Sequence, residues 1–250
     1  MRQFGLIGYP LSHSFSMKYF TGKFRNENIE DCEYLNFPIE TIEKLPSLVS
    51  QNSDLIGLNV TIPYKEKVIE YLDKIDETAR EIGAVNTIKI KRLKDRIILT
   101  GYNTDAYGFY SSIVPHMEKK HKKALILGTG GASKAIAHVF NKMGVEYIFV
   151  SRNPRKDNHI SYNDLTGDLI NNYKIVVNTS PLGMYPDIEK YPDIPYDYIT
   201  GDHLLYDLVY NPEISKFLEK GAEKGANTIN GLLMLHLQAE KAWEIWNSKD

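Results

Sequence analysis

Short apolar runs alternate with amphipathic stretches along most of the chain, a pattern typical of α/β proteins. In the first half, the runs 4–8 and 55–62 predict buried strands, and 85–91 with 96–102 predicts a hairpin. The segment 14–24 predicts a helix, because its large apolar residues recur at spacings of three and four. That apolar stripe consists of Met17, Phe20 and Phe24.

A second unit begins at about residue 104. Its elements follow the order strand, turn, helix, strand, which predicts a parallel sheet. The predicted elements are a strand at 124–127, a glycine turn at 128–131, a helix at 132–143 and a strand at 147–150, with further strands at 175–177 and 204–208. A final helix carries an apolar stripe that ends at Trp246. We therefore expect two α/β domains.

Composition narrows the class of protein without revealing its chemistry. The 250 residues carry a formal net charge of −2, which lacks the basic excess of a nucleic-acid-binding protein. The one cysteine, Cys32, excludes an intrachain disulfide and a cysteine-based zinc site. No run approaches the ~20 apolar residues of a membrane helix, and the N-terminus does not resemble a signal peptide. We expect a cytoplasmic protein without a metal site.

The glycine turn at 128–131 lies directly between a predicted strand and a predicted helix. Such a turn lets backbone N–H groups approach a pyrophosphate at the helix N-terminus, where the helix dipole favours negative charge. Ser133 occupies the third fingerprint position and is small enough for close packing of helix and strand. This arrangement predicts a dinucleotide site, with an ordinary tight turn as the alternative.

The strand after that helix ends in Ser151-Arg152-Asn153, with Arg155 and Lys156 close behind. NAD sites usually place an Asp or Glu near this point, about 20 residues after the turn, to bind the ribose hydroxyls. No acid stands at the strand tip here, and an arginine can pair with a 2′-phosphate. The segment favours NADP over NAD, and the alternative is a solvated basic turn.

Polar side chains also interrupt apolar runs at four places outside the glycine turn. Asn59 and Thr61 alternate with Leu58, Val60 and Ile62, so they should face the opposite side of the strand. Lys65 follows at the carboxyl end of that strand, where open α/β sheets bind ligands, although it can equally be a surface lysine. The other interruptions are Asn86, Asp105 and Gln238. Asp105 is either a helix cap or available for chemistry, and Gln238 is either a structural amide or a ligand contact.

The residues in these segments resemble those of the shikimate dehydrogenase family, in order and over nearly the whole chain. The matching segments are 5–16 (Gly-Leu-Ile-Gly-Tyr-Pro-Leu-Ser-His-Ser-Phe-Ser), 59–65 (Asn-Val-Thr-Ile-Pro-Tyr-Lys), 83–87, 101–105, 128–133, 178–184, 206–210 and 230–231. The chain departs from the family pattern at Phe15 and Met17, where lysine and proline are usual. It also reads Ser-Arg-Asn at 151–153, where Asn-Arg-Thr is commoner.

The resemblance implies a two-domain enzyme with a cleft between an open α/β substrate domain and a Rossmann-type NADP-binding domain. The substrate domain would comprise 1–103 plus 232–250, and the NADP-binding domain 104–231. Lys65 and Asp105 would be the catalytic pair for reversible reduction of 3-dehydroshikimate to shikimate. Shikimate would be bound by Ser14, Ser16, Asn59, Thr61, Asn86, Tyr210 and Gln238. NADP would be bound by Gly128, Thr129, Gly130, Gly131, Ala132, Ser133, Ser151, Arg152, Asn153, Leu208, Gly231 and Glu77.

Other functions remain open at this point. A dehydrogenase of the same family could prefer quinate or NAD, and a non-catalytic NADP-binding sensor could use the same scaffold. The sensor explains Lys65 and Asp105 poorly, because a sensor needs no proton donor. A pure interaction module explains none of the polar loops. The expected partners are small molecules, neither nucleic acid nor membrane, and the expected assembly is a monomer or homodimer.

Overall fold

Two six-stranded sheets organise the fold. The computed structural model describes residues 1–11, 15–154 and 157–249. Its strands are β1 (Arg2–Gly8), β2 (Cys32–Pro38), β3 (Leu55–Val60), β4 (Lys74–Ile75), β5 (Thr87–Arg92), β6 (Ile97–Tyr102), β7 (Lys123–Leu127), β8 (Glu146–Val150), β9 (His159–Ile160), β10 (Ile175–Asn178), β11 (Leu204–Asp207) and β12 (Asn227–Ile229). Its α-helices are α1 (Phe15–Asn26), α2 (Leu45–Gln51), α3 (Glu77–Ile82), α4 (Asp105–Ile113), α5 (Gly131–Met143), α6 (Gly167–Asn172), α7 (Lys216–Glu223) and α8 (Leu232–Asn247).

The chain divides into two compact units. The first unit comprises Met1–Thr104 and Ala239–Asp250, and the second unit comprises Asp105–Gln238. Each unit contains one six-stranded sheet whose neighbouring strands are hydrogen-bonded to each other. The α/β class and the two-domain organisation predicted from the sequence are confirmed.

The first unit contains a mixed sheet in the order β2-β1-β3-β5-β6-β4. Parallel pairs join β1 to β2 and to β3, whereas β5 and β6 form the predicted antiparallel hairpin. Helix α3 illustrates how local sequence sets an element's ends. The Asp76 side chain accepts hydrogen bonds from two N–H groups of its first turn, and Gly83 ends it with a φ of +71°.

An aromatic cluster packs against one face of this sheet. It includes Phe4 of β1, Phe20 and Phe24 of α1, Tyr34 of β2 and Trp246 of α8. The rings of Phe20 and Tyr34 stack with centroids 4.8 Å apart. Trp246 Nε1 donates to the Ile88 carbonyl oxygen at 3.0 Å, which ties the end of α8 to the sheet. The end of the chain is therefore an integral part of the first unit.

The second unit contains a sheet in which every pair is parallel, in the order β12-β11-β10-β7-β8-β9. Numbered from β7, this order is 6-5-4-1-2-3, the doubly wound arrangement of dinucleotide-binding domains. The change of direction falls between β7 and β10, the position at which such sheets bind ligands beyond their carboxyl ends. Within the described residues, no helix has the length and apolarity that crossing a membrane requires.

Two local expectations need correction, and one seven-residue strand was missed. Met17 was expected on the apolar stripe of α1, but it is exposed, whereas Phe20 and Phe24 are buried. Ile62 was expected to continue the alternation of the strand, but β3 ends at Val60 and Ile62 is 75% exposed. The alternation stops because Tyr64 N–H donates to the Thr61 carbonyl in a turn. The strand β2 was not predicted at all, because only one of its seven residues is fully buried.

Candidate active site

The glycine turn between β7 and α5 leaves room for a ligand at the start of a 13-residue helix. Gly128 has a φ of +117°, and a Cβ there would clash with the Thr179 hydroxyl. A Cβ on Gly130 would meet nothing within 4 Å, and Thr129 and Gly130 are both exposed. The Ser133 hydroxyl donates to the Gly130 carbonyl at 2.6 Å and is fully buried, so it stabilises the turn itself. The backbone just before the first turn of α5 is thus exposed, as a pyrophosphate site at the start of this helix requires.

The end of β8 lies beside this turn. Gly128 N–H donates to the Val150 carbonyl at 2.9 Å, and β7 and β8 are paired up to Leu127 and Val150. The next residue, Ser151, is buried, and its hydroxyl has no partner among the described residues. Arg152 and Asn153 follow and are exposed. A buried hydroxyl without a partner next to an exposed arginine fits the ribose phosphate end of NADP, because such a group needs a hydrogen-bond partner.

The loop after β11 is organised by a buried carboxylate. Asp207 is fully buried, and its Oδ1 accepts from Asn178 Nδ2 at 2.9 Å and from Val209 N–H at 3.0 Å. Its Oδ2 accepts from the Ser215 hydroxyl. Burial is the largest influence on this group and raises the pKa of Asp207 to about 6, although the three hydrogen bonds act in the opposite direction. These contacts hold the segment that carries Leu208 and Tyr210.

Two of the expected cofactor residues meet at this loop. A Cβ on Gly231 would overlap the Leu208 carbonyl, so only glycine permits this approach of the two backbones. Gly231 N–H also donates to the Val209 carbonyl at 3.2 Å. Tyr210 is half-buried, and burial raises the pKa of its phenol. The segments that carry Leu208, Tyr210 and Gly231 therefore follow the carboxyl ends of two neighbouring parallel strands, β11 and β12.

A buried hydrogen-bond network connects the amides of Asn59 and Asn86 in the first unit. Asn59 Nδ2 lies 3.3 Å from Thr87 Oγ1, and Thr87 Oγ1 lies 3.2 Å from Asn86 Oδ1. Asn86 Nδ2 donates to Thr104 Oγ1 at 3.0 Å, and Asn86 Oδ1 accepts from Thr104 N–H at 2.7 Å. All four residues are at most 5% exposed. Their side chains are consequently fixed in orientation rather than free to rotate.

Thr61 and Lys65 follow on the segment that leaves β3. Thr61 N–H donates to the Ile7 carbonyl at 2.9 Å, which keeps the segment alongside β1 after the strand has ended. The Lys65 carbonyl accepts from Val85 N–H at 2.7 Å, two residues after Gly83. Lys65 is half-buried, whereas Glu66 and Lys67 beside it are exposed. The partial burial distinguishes Lys65 from the surface lysines of the same run.

Asp105 and Gln238 lie on neighbouring helices of the second unit. Asp105 is the first residue of α4 and is 6% exposed, a position where the helix dipole stabilises a negative charge. One turn later, a Cβ on Gly108 would clash with the Met234 carbonyl and approach Gln238 Cβ to 3.2 Å. The glycine therefore allows α4 and α8 to cross closely. Gln238 is half-buried beside that crossing.

The remaining expected site residues have simpler surroundings. Ser14 lies outside the described residues, and Ser16 is half-buried in the first turn of α1. Glu77 is exposed at the start of α3, in the first unit. Gly131 and Ala132 begin α5 and are half-buried. In the part of the chain that the structure describes, no group of three His, Cys, Asp or Glu residues is placed to hold a metal ion.

Sequence analysis missed two residues that organise these sites. Asp207 stands inside a segment that was interpreted only as a strand and as part of the resemblance, and Tyr34 is one of 17 tyrosines. Tyr34 Oη donates to Asn59 Oδ1 at 2.7 Å in the buried network. A charged residue inside the apolar run 204–208 was a usable signal for Asp207. No comparable signal marked Tyr34.

Comparisons with known proteins identify relatives of this chain. The sequence model of the shikimate dehydrogenase substrate binding domain matches residues 6–88. The chain is 39% identical to a shikimate dehydrogenase (NADP(+)) of Carboxydothermus hydrogenoformans, with 97% of this chain and 90% of that protein covered. The crystal structure of shikimate dehydrogenase 1 from Peptoclostridium difficile is 39% identical, covers 100% of this chain and 94% of that one, and superposes with a TM-score of 0.83. The enzyme of Thermus thermophilus in complex with NADP(H) and shikimate is 28% identical, covers 99% and 93%, and has a TM-score of 0.84.

Proposed function

The chain belongs to the shikimate dehydrogenase family, and we propose that it catalyses the reversible NADPH-dependent reduction of 3-dehydroshikimate to shikimate in aromatic amino-acid (chorismate) biosynthesis. The observation that carries this proposal is the similarity over 97% of the chain to a relative of that name, because the similarity includes both units. The enzyme is accordingly an NADP-dependent oxidoreductase acting on a CH–OH group.

The second unit supplies the groups that fit NADP. The backbone of Gly128–Ser133 would receive the pyrophosphate at the start of α5, and Ser151, Arg152 and Asn153 would hold the phosphorylated ribose. Leu208 and Gly231 would contact the cofactor beyond β11, and Glu77 of the first unit would add a further contact. The Ser151 hydroxyl, which has no partner among the described residues, and the open space at Gly130 support this assignment. When bound, the nicotinamide supplies or accepts the hydride.

Neutral hydrogen-bonding groups suit a substrate rich in hydroxyls. Ser14, Ser16, Asn59, Thr61, Asn86, Tyr210 and Gln238 would bind shikimate, with its carboxylate near the two serines. The orientation of the Asn59 and Asn86 amides is fixed before any ligand arrives, because both take part in the buried network. Preorganised amides lose less entropy when the substrate binds, which supports a recognition role.

Lys65 and Asp105 would handle the proton. Reduction of the ketone leaves negative charge on its oxygen, and the Lys65 ammonium group would stabilise that charge and donate the proton. Asp105 would orient the ammonium group and a substrate hydroxyl. General acid catalysis of this kind contributes typically ~10²–10⁴-fold to the rate. The partial burial of Lys65, in contrast to exposed Lys67, supports a role beyond that of a surface cation.

The proposed activity is tested by following NADP⁺ and NAD⁺ reduction in parallel with shikimate and with quinate. Shikimate with NADP⁺ should give the highest kcat/KM. Faster turnover of quinate, or a preference for NAD⁺, would assign the chain to another specificity within the family. NADP⁺ binding without turnover of either substrate would instead indicate a sensor.

A substitution at Lys65 separates its proposed role from simple binding. Lys65→Met keeps the approximate length of the side chain and removes its charge, so kcat should fall by at least about 10²-fold while the affinity for NADP⁺ is retained. Lys67→Met is the matched control, because Lys67 is an exposed lysine two residues away, and it should keep wild-type kcat. Asp105→Asn should resemble Lys65→Met, and the double variant should be little worse than the poorer single one. A Lys65→Met enzyme with kcat within a few-fold of wild type would exclude the lysine from the chemistry.

The proposal extends to the surroundings of the enzyme. We expect it to act on small molecules in the cytoplasm, as a monomer or homodimer. Sedimentation equilibrium of the purified protein tests the assembly state.

A further inference from the structure

Tyr34 brings a phenol from the aromatic cluster into the polar network of the first unit. The residue is 4% exposed, and its ring stacks on Phe20 with an interplanar angle of 12°. A second ring, that of Trp246, lies 6.5 Å away. These contacts fix the ring, so the hydroxyl at its end occupies a defined place. That hydroxyl donates to Asn59 Oδ1 at 2.7 Å.

The bond from Tyr34 completes the hydrogen bonding of the Asn59 amide. Asn59 Nδ2 lies 3.3 Å from Thr87 Oγ1 and 3.4 Å from the Asn86 carbonyl oxygen. A carbonyl oxygen has no hydrogen, so the NH₂ group must face it and Oδ1 must face away. The Oδ1 atom then points to Tyr34, whose hydroxyl supplies the donor. Without the Tyr34 hydroxyl, the buried Asn59 Oδ1 atom would lose its hydrogen-bond donor, and the Asn59 amide would no longer be held in one orientation.

Burial is the larger influence on the pKa of the Tyr34 phenol and raises it, while a hydrogen bond from Ser16 acts in the opposite direction. The phenol therefore stays protonated and serves Asn59 as a donor.

We propose that Tyr34 is a positioning residue for shikimate, which it serves by fixing the side chain of Asn59 without touching the substrate. This inference rests on the proposed function, because Asn59 is assigned to shikimate there. Tyr34 is buried, and its effect is transmitted through the orientation of the Asn59 amide. The consequence is a role in substrate affinity that is separate from the chemical step.

Tyr34→Phe tests this role, because it removes only the hydroxyl and keeps the stacked ring. The KM for shikimate should rise about tenfold, kcat should stay within about twofold, and the KM for NADP⁺ should not change. A merely structural role would lower the melting temperature and the active fraction, and hence kcat, without raising the KM for shikimate. In an Asn59→Ala background, adding Tyr34→Phe should change the KM by less than about threefold, because the group through which it acts is mostly gone.

Tyr206→Phe is the matched control. Tyr206 is also a buried tyrosine, and its hydroxyl lies 2.7 Å from the hydroxyl of Ser112, a residue that is not assigned to shikimate. Its removal should leave the KM for shikimate unchanged. An unchanged KM in Tyr34→Phe, with an active wild-type enzyme, would overturn the positioning role alone. A wild-type enzyme that does not oxidise shikimate with NADP⁺ would overturn the proposed function and this inference with it.

A crystal structure of the wild-type protein with shikimate decides the matter if Tyr34→Phe does not fold. The inference requires Tyr34 Oη within hydrogen-bond distance of Asn59 Oδ1 and shikimate in contact with the side chain of Asn59. Shikimate bound without a contact to Asn59 would refute it. Loss of the Tyr34–Asn59 bond in that complex would refute it equally.

Discussion

Replacing Asp207 by asparagine should stabilise the protein at alkaline pH and lose that advantage as the pH falls. Asp207 is fully buried, and burial raises its pKa to about 6 from an ordinary value of 3.8. The folded protein therefore binds this proton more tightly than the unfolded chain does. The contribution of Asp207 to the free energy of unfolding is greatest below pH 3.8 and is lost as the pH rises through about 6. At neutral pH the buried charge consequently opposes folding.

The expected magnitude follows from the size of the pKa difference. A shift of about two units corresponds to about 3 kcal/mol at a pH above both values. Between about pH 4.5 and about pH 8, roughly 2 kcal/mol of this cost develops. Asparagine does not titrate, and its amide can still accept from Asn178 Nδ2 and Val209 N–H. The free energy of unfolding of Asp207→Asn, minus that of the wild type, should thus rise by about 2 kcal/mol over this pH range.

Urea unfolding followed by circular dichroism at several pH values measures this difference. Its slope with pH is diagnostic, because a change in amide geometry adds an offset that does not depend on pH. Groups present in both proteins, such as the buried histidines, cancel in the difference. Asp164→Asn is the control: hydrogen bonds from Ser161 lower the pKa of that exposed carboxyl, so its stabilising effect is lost only in more acidic solution. A flat or reversed slope for Asp207→Asn would show that desolvation does not dominate at this carboxyl.

Two further predictions concern the second unit. Arg152→Ala should raise the KM for NADP⁺ by about tenfold or more and that for NAD⁺ far less, because only NADP⁺ carries the 2′-phosphate, and equal increases in steady-state assays would contradict the assignment. Burial lowers the pKa of His203, whose ring lies 2.9 Å from Thr200 N–H and 3.0 Å from the Ile170 carbonyl. The folded state therefore favours the neutral ring, and stability should be lost as the pH falls below about 6.5. His203→Gln, which retains one donor and one acceptor, should lessen the fall in urea midpoint between about pH 7 and about pH 5, and an unchanged fall would refute this account.

The dinucleotide-type turn was predictable because every requirement for it is local in the sequence. Gly128 is needed for its φ of +117°, Gly130 borders open space, and the small residue Ser133 packs inside the turn. These requirements fall within six consecutive residues, between an apolar strand and an amphipathic helix. The general preference of strand–helix–strand units for right-handed parallel connections limits the possible strand orders without selecting one. Local chemistry and topology therefore indicated the same fold.

The first unit was less predictable because its polar groups are partnered across the sheet. The alternation of Asn59 with Leu58 and Val60 correctly marked a polar position, and the antiparallel register places Thr87 directly opposite Asn59. The same alternation wrongly predicted that Ile62 is buried. The strand ends at Val60, so the two-residue period no longer applies at Ile62. Pattern analysis identifies which positions are exceptional. It does not identify the residue that forms the hydrogen bond with each buried polar group.

Tyr34 shows why such a partner escapes detection. It stands on β2, and β1 lies between that strand and Asn59 on β3. Neighbouring strands are about 4.8 Å apart, so the side chains of Tyr34 and Asn59, with the hydrogen bond that joins them, must bridge about twice that distance. Serine or threonine on β2 is too short to reach, whereas tyrosine places its hydroxyl far from the backbone and keeps an apolar body among Phe20 and Trp246. A buried asparagine at position 59 therefore requires a long donor with an apolar stem on β2, or a different donor altogether. That requirement follows from the geometry of the sheet, and it becomes visible only when the order of the strands is known.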